Sequence, residues 1–339
     1  MELSNKDTKM LQGLSVIAML CLHLFSRSYV DLYQPLVFIK GTPLSFLFSQ
    51  LSDFCVFGFA FCSGYGHMKI FDQPNYYKRR LKSLLILLIN FWLILILATV
   101  VSVIIGQAKF MPGSVWDFLG TAFLYDMHYN GAWWYMWAYV LLVLISPLVL
   151  RAFKRFPAIP VLAVSFLIYI VAFYVRFYMP EDNYFYYHFG AFGMTFFEYA
   201  AGCAVAKTML FTKMSSVQKK IPLPVKISGC CLVLLFLLYA RTFLIPNVFF
   251  APLSGFIIIS MFALWKKPKW VESTFVFFGK HSTNMWLTHM FFVSSLWIYV
   301  AKYPIAIFLL LIAITLLISF AVSFVMKRIT GLLNKAVKI

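Results

Sequence analysis

Ten apolar stretches, each long enough to cross a bilayer, dominate this chain of 339 residues. They lie near 8–28, 46–68, 83–106, 132–150, 158–178, 189–211, 226–243, 247–265, 281–301 and 304–326. About 20 residues of helix match the ~30 Å hydrocarbon core of a membrane. In lipid every backbone polar group must be satisfied internally, which leaves helices as the economical solution for runs of this kind. With 63% hydrophobic and 12% charged residues, against about 25% charged in soluble domains, water-soluble packing cannot hide the apolar surface. The sequence predicts an all-α, polytopic transmembrane bundle of about ten helices. It forms a single domain over 1–339. The first run lacks an A-x-A-like cleavage site and reads as a retained helix, not a signal peptide.

The basic residues set an expected orientation. With the N-terminus placed in the cytoplasm, 23 of the 29 Lys and Arg residues fall at cytoplasmic helix ends. The outer side keeps Arg27, Lys40, Lys109, Arg176, Arg241 and Lys302. Both termini are therefore expected inside. The net charge of +18 is this topology signal and not a nucleic-acid footprint; a basic inner face attracts anionic lipid headgroups or an anionic soluble ligand. Cys21, Cys55, Cys62, Cys203, Cys230 and Cys231 all lie in expected spans without a C-x-x-C pair. They suggest small packing residues rather than a disulfide framework or a metal site.

No linker or internal repeat divides the chain. The outer connection near 107–131 contains "SVWDFLGTAFLY", an amphipathic piece suited to the interface, and the outer segment "MPEDNYFYYH" (179–188) is polar and aromatic. No matched pair of short Gly/Pro-broken helices marks the two halves, which weakens a transporter reading.

Ionisable groups at membrane depth are costly and mark function. Four such groups share the central-to-outer half of the expected bundle: His23 in "KMLQGLSVIAMLCLHLF" (9–25), Asp53, Glu198 and His289. A carboxylate bonded to one imidazole nitrogen fixes the tautomer and raises the basicity of the other, the arrangement a general base needs. Glu198, by depth, or Asp53 is expected to orient His23. Each also has a structural alternative: Asp53 as a helix cap, His289 as interhelical glue, Glu198 and His23 as buried groups with partners.

Two further stretches invite ligands. "YYKRRLKSLL" (76–85) places Lys78, Arg79, Arg80 and Lys82 within five positions. They suit either a positive-inside anchor or a clamp for phosphates arriving from the cytoplasm. "GAWWYMWAYVLLVLISP" (131–147) offers Trp133, Trp134 and Tyr135 as an aromatic belt or a sugar-stacking wall, with Pro147 bending or ending the helix.

Together with "VFGFAFCSGYGHM" (56–68), "FFEYAAGCAVAK" (196–207) and "FGKHSTNMWLTHMFF" (278–292), these stretches resemble acyltransferase family 3, integral-membrane O-acyltransferases that decorate surface glycans. The resemblance implies transfer of an acyl group, commonly acetyl, from cytoplasmic acyl-CoA to a hydroxyl of a surface polysaccharide or lipid-linked oligosaccharide. His23 would be the catalytic histidine, and the basic segment would hold the CoA phosphates. Trp133, Trp134, Tyr135 and His289 would face the acceptor. The family's usual basic residue eleven positions before the histidine is Gln12 here, and Lys9, three residues earlier on the same face, stands in for it. No permanently bound cofactor or metal is implied, nor a nucleic-acid partner. A bacterial plasma membrane is the expected location. Two rival classes remain: a transporter or flippase of a glycan intermediate with a buried proton relay, and a membrane sensor or scaffold without chemistry.

Overall fold

The computed structural model describes residues 2–26, 38–39, 41–180, 183–245, 247–300 and 303–336. Ser4 opens α1 (Asn5–Phe25) by accepting from the Asp7 amide while Asp7 accepts from the Ser4 amide, so two free donors are satisfied reciprocally. A two-residue antiparallel ladder, β1 (Phe38–Ile39) and β2 (Thr42–Pro43), leads into α2 (Leu44–Leu51). A 3-10 turn then joins α3 (Cys55–Ile70), and the whole segment Leu44–Ile70 forms one apolar span.

The basic segment extends the next helix beyond its apolar run, so α4 (Tyr76–Ile104) begins earlier than the expected 83. The amphipathic outer piece is α5 (Val115–Ala122), capped like α1 by Ser114 and Asp117, with Trp116 mostly exposed. In α6 (Trp134–Arg155) Pro147 sits inside the helix without ending it. There follow α7 (Ala158–Tyr178), α8 (Tyr184–Thr208), α9 (Leu210–Gln218) and α10 (Leu223–Tyr239), the last ending in a π-helical turn, Ala240–Leu244. The chain closes with α11 (Ala251–Leu264), α12 (Lys269–Val300) and α13 (Pro304–Ala336).

Among the described residues, eight helical segments are long and apolar enough to cross a membrane. The other two expected spans also fold as helices. One is the short Val248–Leu264 segment, and α12 is long but carries Lys280, His281, Asn284 and His289 and falls outside the eight. The bundle is centred on α8, whose span is 72% buried, whereas the Leu223–Leu244 span is 11% buried and peripheral. Cys230 and Cys231 lie on that exposed helix, so they are not packing residues, unlike the buried Cys55, Cys62 and Cys203.

Small residues bring backbones into direct contact at two crossings. A Cβ on Gly13 would overlap the Phe275 carbonyl, and one on Gly279 the Lys9 carbonyl, so α1 and α12 touch reciprocally. Gly64 and Gly202 meet the Tyr199 and Phe61 carbonyls in the same manner between α3 and α8. Polar contacts add register: Asn90 donates to Asn284 at 2.7 Å, and Asn284 donates to Ser323 at 3.2 Å, tying α4, α12 and α13.

One end of the bundle gathers the ion pairs Lys6–Glu272, Lys69–Glu2 and Lys154–Asp72 at 2.5, 2.9 and 2.5 Å. This is the end that the distribution of Lys and Arg assigns to the cytoplasm. Such exposed pairs contribute only about 0–1 kcal/mol each; what they fix is which helix ends lie together. The opposite end holds the buried pair Arg241–Asp53 and the Tyr169 hydroxyl against the Val248 and Phe249 carbonyls.

Candidate functional site

A cavity of about 650 Å³ runs between the helices. Each wall is a helical stripe: Lys9, Gln12, Met19 and His23 from α1, and Val56, Phe59 and Ser63 from α3. Ala191, Met194, Thr195 and Glu198 come from α8, and Ser282, Thr283 and Trp286 from α12. The i, i+3, i+4, i+7 spacing places each set on one face. The basic end is lined by Lys9, Gln12 and Ser83, the other by Arg176, Phe177 and Val248. Along α1 alone, Lys9 to His23 covers about 21 Å at 1.5 Å per residue.

His23, in the last turn of α1, does not sit alone on this wall. Its Nδ1 is 2.6 Å from His289 Nε2, and the rings stack with centroids 4.8 Å apart. His289 is fully buried, and its own Nδ1 lies 2.7 Å from the Trp286 carbonyl oxygen. A carbonyl only accepts, so His289 Nδ1 carries the hydrogen. In the uncharged pair His289 Nε2 is then an acceptor, His23 Nδ1 donates to it, and the lone pair falls on His23 Nε2. The sequence expectation that Glu198 or Asp53 orients His23 is therefore corrected: the partner of Nδ1 is His289.

The two carboxyls line the same cavity. Asp53 accepts from Arg241 Nε at 3.1 Å, and Arg241 also donates to Gln50 at 2.9 Å. Arg241, read from sequence as an outer charge, is 5% exposed and is the counter-ion of Asp53. Glu198, 4% exposed, lies close enough to Asp53 for the two to interact electrostatically, and its Oε2 is buried without a hydrogen-bond partner.

The remaining expected site residues separate. Trp134 and Tyr135 line the cavity. Trp133 instead turns into the core, fully buried, donating to the Leu287 carbonyl at 2.9 Å and packing edge-on against Phe91 and Phe291. His289 stands behind His23 rather than on the cavity wall. Lys9 donates to Gln12 at 2.9 Å, and both face the cavity, so Lys9 does occupy the position beside Gln12. Lys78, Arg79 and Lys82 line a separate recess of about 260 Å³ with Pro74 and Asn75 at the basic end. Arg80 departs from them. It lies near enough to His67 and Tyr76 for its charge to act on both, with its Nε buried and unpartnered. Arg27, Lys40, Glu181, Asp182 and Lys302 lie outside the described residues.

Sequence reasoning passed over Arg241, Arg176 and the hydroxyl-bearing Ser63, Ser83, Ser282 and Thr283 of the wall. Arg241 carried a readable signal, being a cation just inside the end of an expected span, as Arg176 also is. The small hydroxyls carried none, since Ser and Thr occur throughout membrane helices.

The model of a family described as an acyltransferase domain matches residues 7–324, from the capping turn of α1 through most of α13. No curated protein and no solved structure matches the chain. The match takes in every helix that walls the cavity, and with it the chain belongs to acyltransferase family 3 and is a membrane acyltransferase.

Proposed function

We propose that the protein moves an acetyl group from cytoplasmic acetyl-CoA to a hydroxyl of a surface polysaccharide, or of its lipid-linked precursor, in the plasma membrane of a bacterium. The observation that carries this reading is the Trp286 carbonyl–His289–His23 chain, which presents a basic nitrogen to a cavity reaching toward both ends of the bundle. The recess of Lys78, Arg79 and Lys82 suits the phosphates of the donor. Lys9, Gln12 and the wall hydroxyls suit the amide-bearing arm that must extend inward.

In the step itself His23 Nε2 takes the proton of the acceptor hydroxyl, and the oxygen forms a bond to the thioester carbonyl carbon. The tetrahedral intermediate collapses with cleavage of the carbon–sulfur bond. The CoA thiolate leaves and recovers the proton from the His23 imidazolium. His289 holds the ring and accepts from Nδ1–H throughout. Trp134 and Tyr135 offer ring faces to the sugar.

The test is CoA release from acetyl-CoA by purified protein in nanodiscs, with cell-envelope glycan added. Release that depends on glycan and is abolished by His23→Ala supports the reading. Equal release from a well-folded His23→Ala variant overturns it.

A further inference from the structure

We propose that the outer mouth of the cavity is a binding site for an anionic group, phosphate or carboxylate, on the acceptor, with Arg176 as its receptor; the word acceptor rests on the acyltransferase reading, the site on geometry.

Arg176 sits in the last turn of α7 and lines the cavity beside Phe177 and Ala191. Its backbone is seated hard against α8. A Cβ on Gly190 would meet the Arg176 Cβ at 2.6 Å, so glycine there is what lets the two helices close. The guanidinium lies 3.8 Å over the Tyr187 ring. Stacking of this kind occupies the face of the cation and leaves the N–H donors at its edge for a ligand.

No carboxylate of the described residues neutralises it. Asp53 is taken by Arg241 at 3.1 Å and Asp126 by His128 at 2.6 Å. Glu198 lies eight residues beyond Gly190 on α8, about 12 Å along the axis. Arginine keeps its charge under all ordinary conditions. Arg176 is thus a permanent cation on the wall of a largely apolar cavity, and the fork of its donors fits two oxygens of a phosphate or carboxylate. The donor's phosphates have their own basic recess at the other end, formed by Lys78, Arg79 and Lys82. What reaches Arg176 enters from the acceptor's side. The acceptor is thus an acidic glycan or a phosphodiester-containing polymer, not a neutral one.

The experiment uses the full chain in nanodiscs of zwitterionic lipid. Binding of glucose 1-phosphate, glucuronic acid and glucose is measured by thermal shift, in wild type, R176K and R176Q. Binding of the two anions but not of glucose is expected, with affinity falling about tenfold or more in R176Q and less in R176K. Acyl transfer to acidic envelope glycan should show a raised acceptor KM in R176Q. Equal binding of glucose, or anion binding unchanged in both variants, overturns the proposal. A lipid headgroup is distinguished by repeating the melts with phosphatidylglycerol present. Arg176-dependent stabilisation by that lipid, with no response to the soluble anions, also overturns it. Should wild-type protein release no CoA with any glycan, the acyltransferase reading fails on its own; the anion-binding melts still decide the site.

Discussion

His23 Nδ1 and His289 Nε2 stand 2.6 Å apart although 266 residues separate them in the chain. Because the Trp286 carbonyl claims the far nitrogen of His289, the hydrogen on each ring is assigned by chemistry rather than by choice. On the proposed mechanism the relay makes His289 a positioning residue, acting on the reaction through His23.

His289→Ala should lower kcat by about 10²- to 10⁴-fold, the usual worth of an oriented acid–base group, with little change in acceptor KM. His289→Gln places an amide oxygen where Nε2 stood and should recover part of the loss. Steady-state CoA release for the two variants checks this, and equal activity in Ala and Gln variants would contradict the relay.

The helix crossing of α1 and α12 should fail when a methyl group is added. Gly279→Ala would drive a Cβ into the Lys9 carbonyl. That overlap is with backbone, which cannot rotate away. A loss of several kcal/mol is expected, beyond the ~0.5–3 kcal/mol of an ordinary substitution. Gly66→Ala is the matched control: its Cβ would meet nothing within 4 Å, and its melting temperature should hold or rise slightly. Parallel thermal melts of the two variants in detergent decide the matter.

The Asp53–Arg241 pair should be far more sensitive to single than to double replacement. Both side chains are buried, so removing one leaves an uncompensated charge, costing about 3–5 kcal/mol. Asp53→Asn and Arg241→Met are each expected to melt early, and Asp53→Leu combined with Arg241→Met to recover much of the loss. A double variant as unstable as the worse single one would show that the pair is not acting as a unit.

Acid should loosen, through Glu2, the end of the bundle that holds the N-terminal ion pairs. Partial burial alone would raise its pKa, but hydrogen bonds from Lys69, Tyr65 and Thr212 outweigh it and hold the group below its ordinary 4.5. Its folded pKa being the lower one, its contribution is complete above pH 4.5 and fades as pH falls through the folded value. Glu2→Gln should therefore lower stability at neutral pH and narrow the gap to wild type in acid. Melts across that range would show a constant gap if Glu2 is idle.

Much of the architecture was legible because apolar length and charge sidedness are local properties. The run ending at His23 had to be a buried helix with a costly group near its outer end, and it is α1. Lys9 beside Gln12 was readable for the same reason, since three positions on a helix share a face. Partnerships between distant helices were not readable. Glu198 and His289 had comparable expected depth, and depth does not tell which side chain rotates toward His23. Trp133 and Trp134 are neighbours in sequence, yet about 100° of helical rotation sends one into the core and the other to the cavity. Arg80 parts from Lys78, Arg79 and Lys82 by the same rotation.

The apolar part of the cavity wall, which includes Met19, Leu22, Val56 and Phe59, has an electrical consequence. Ions cross apolar stretches of this kind poorly. An acyl chain, being apolar, meets no such barrier. On the proposed function, the bundle joins two compartments chemically while insulating them from one another. Liposomes carrying the protein and a potassium diffusion potential are expected to keep that potential, where a proton-coupled carrier would discharge it.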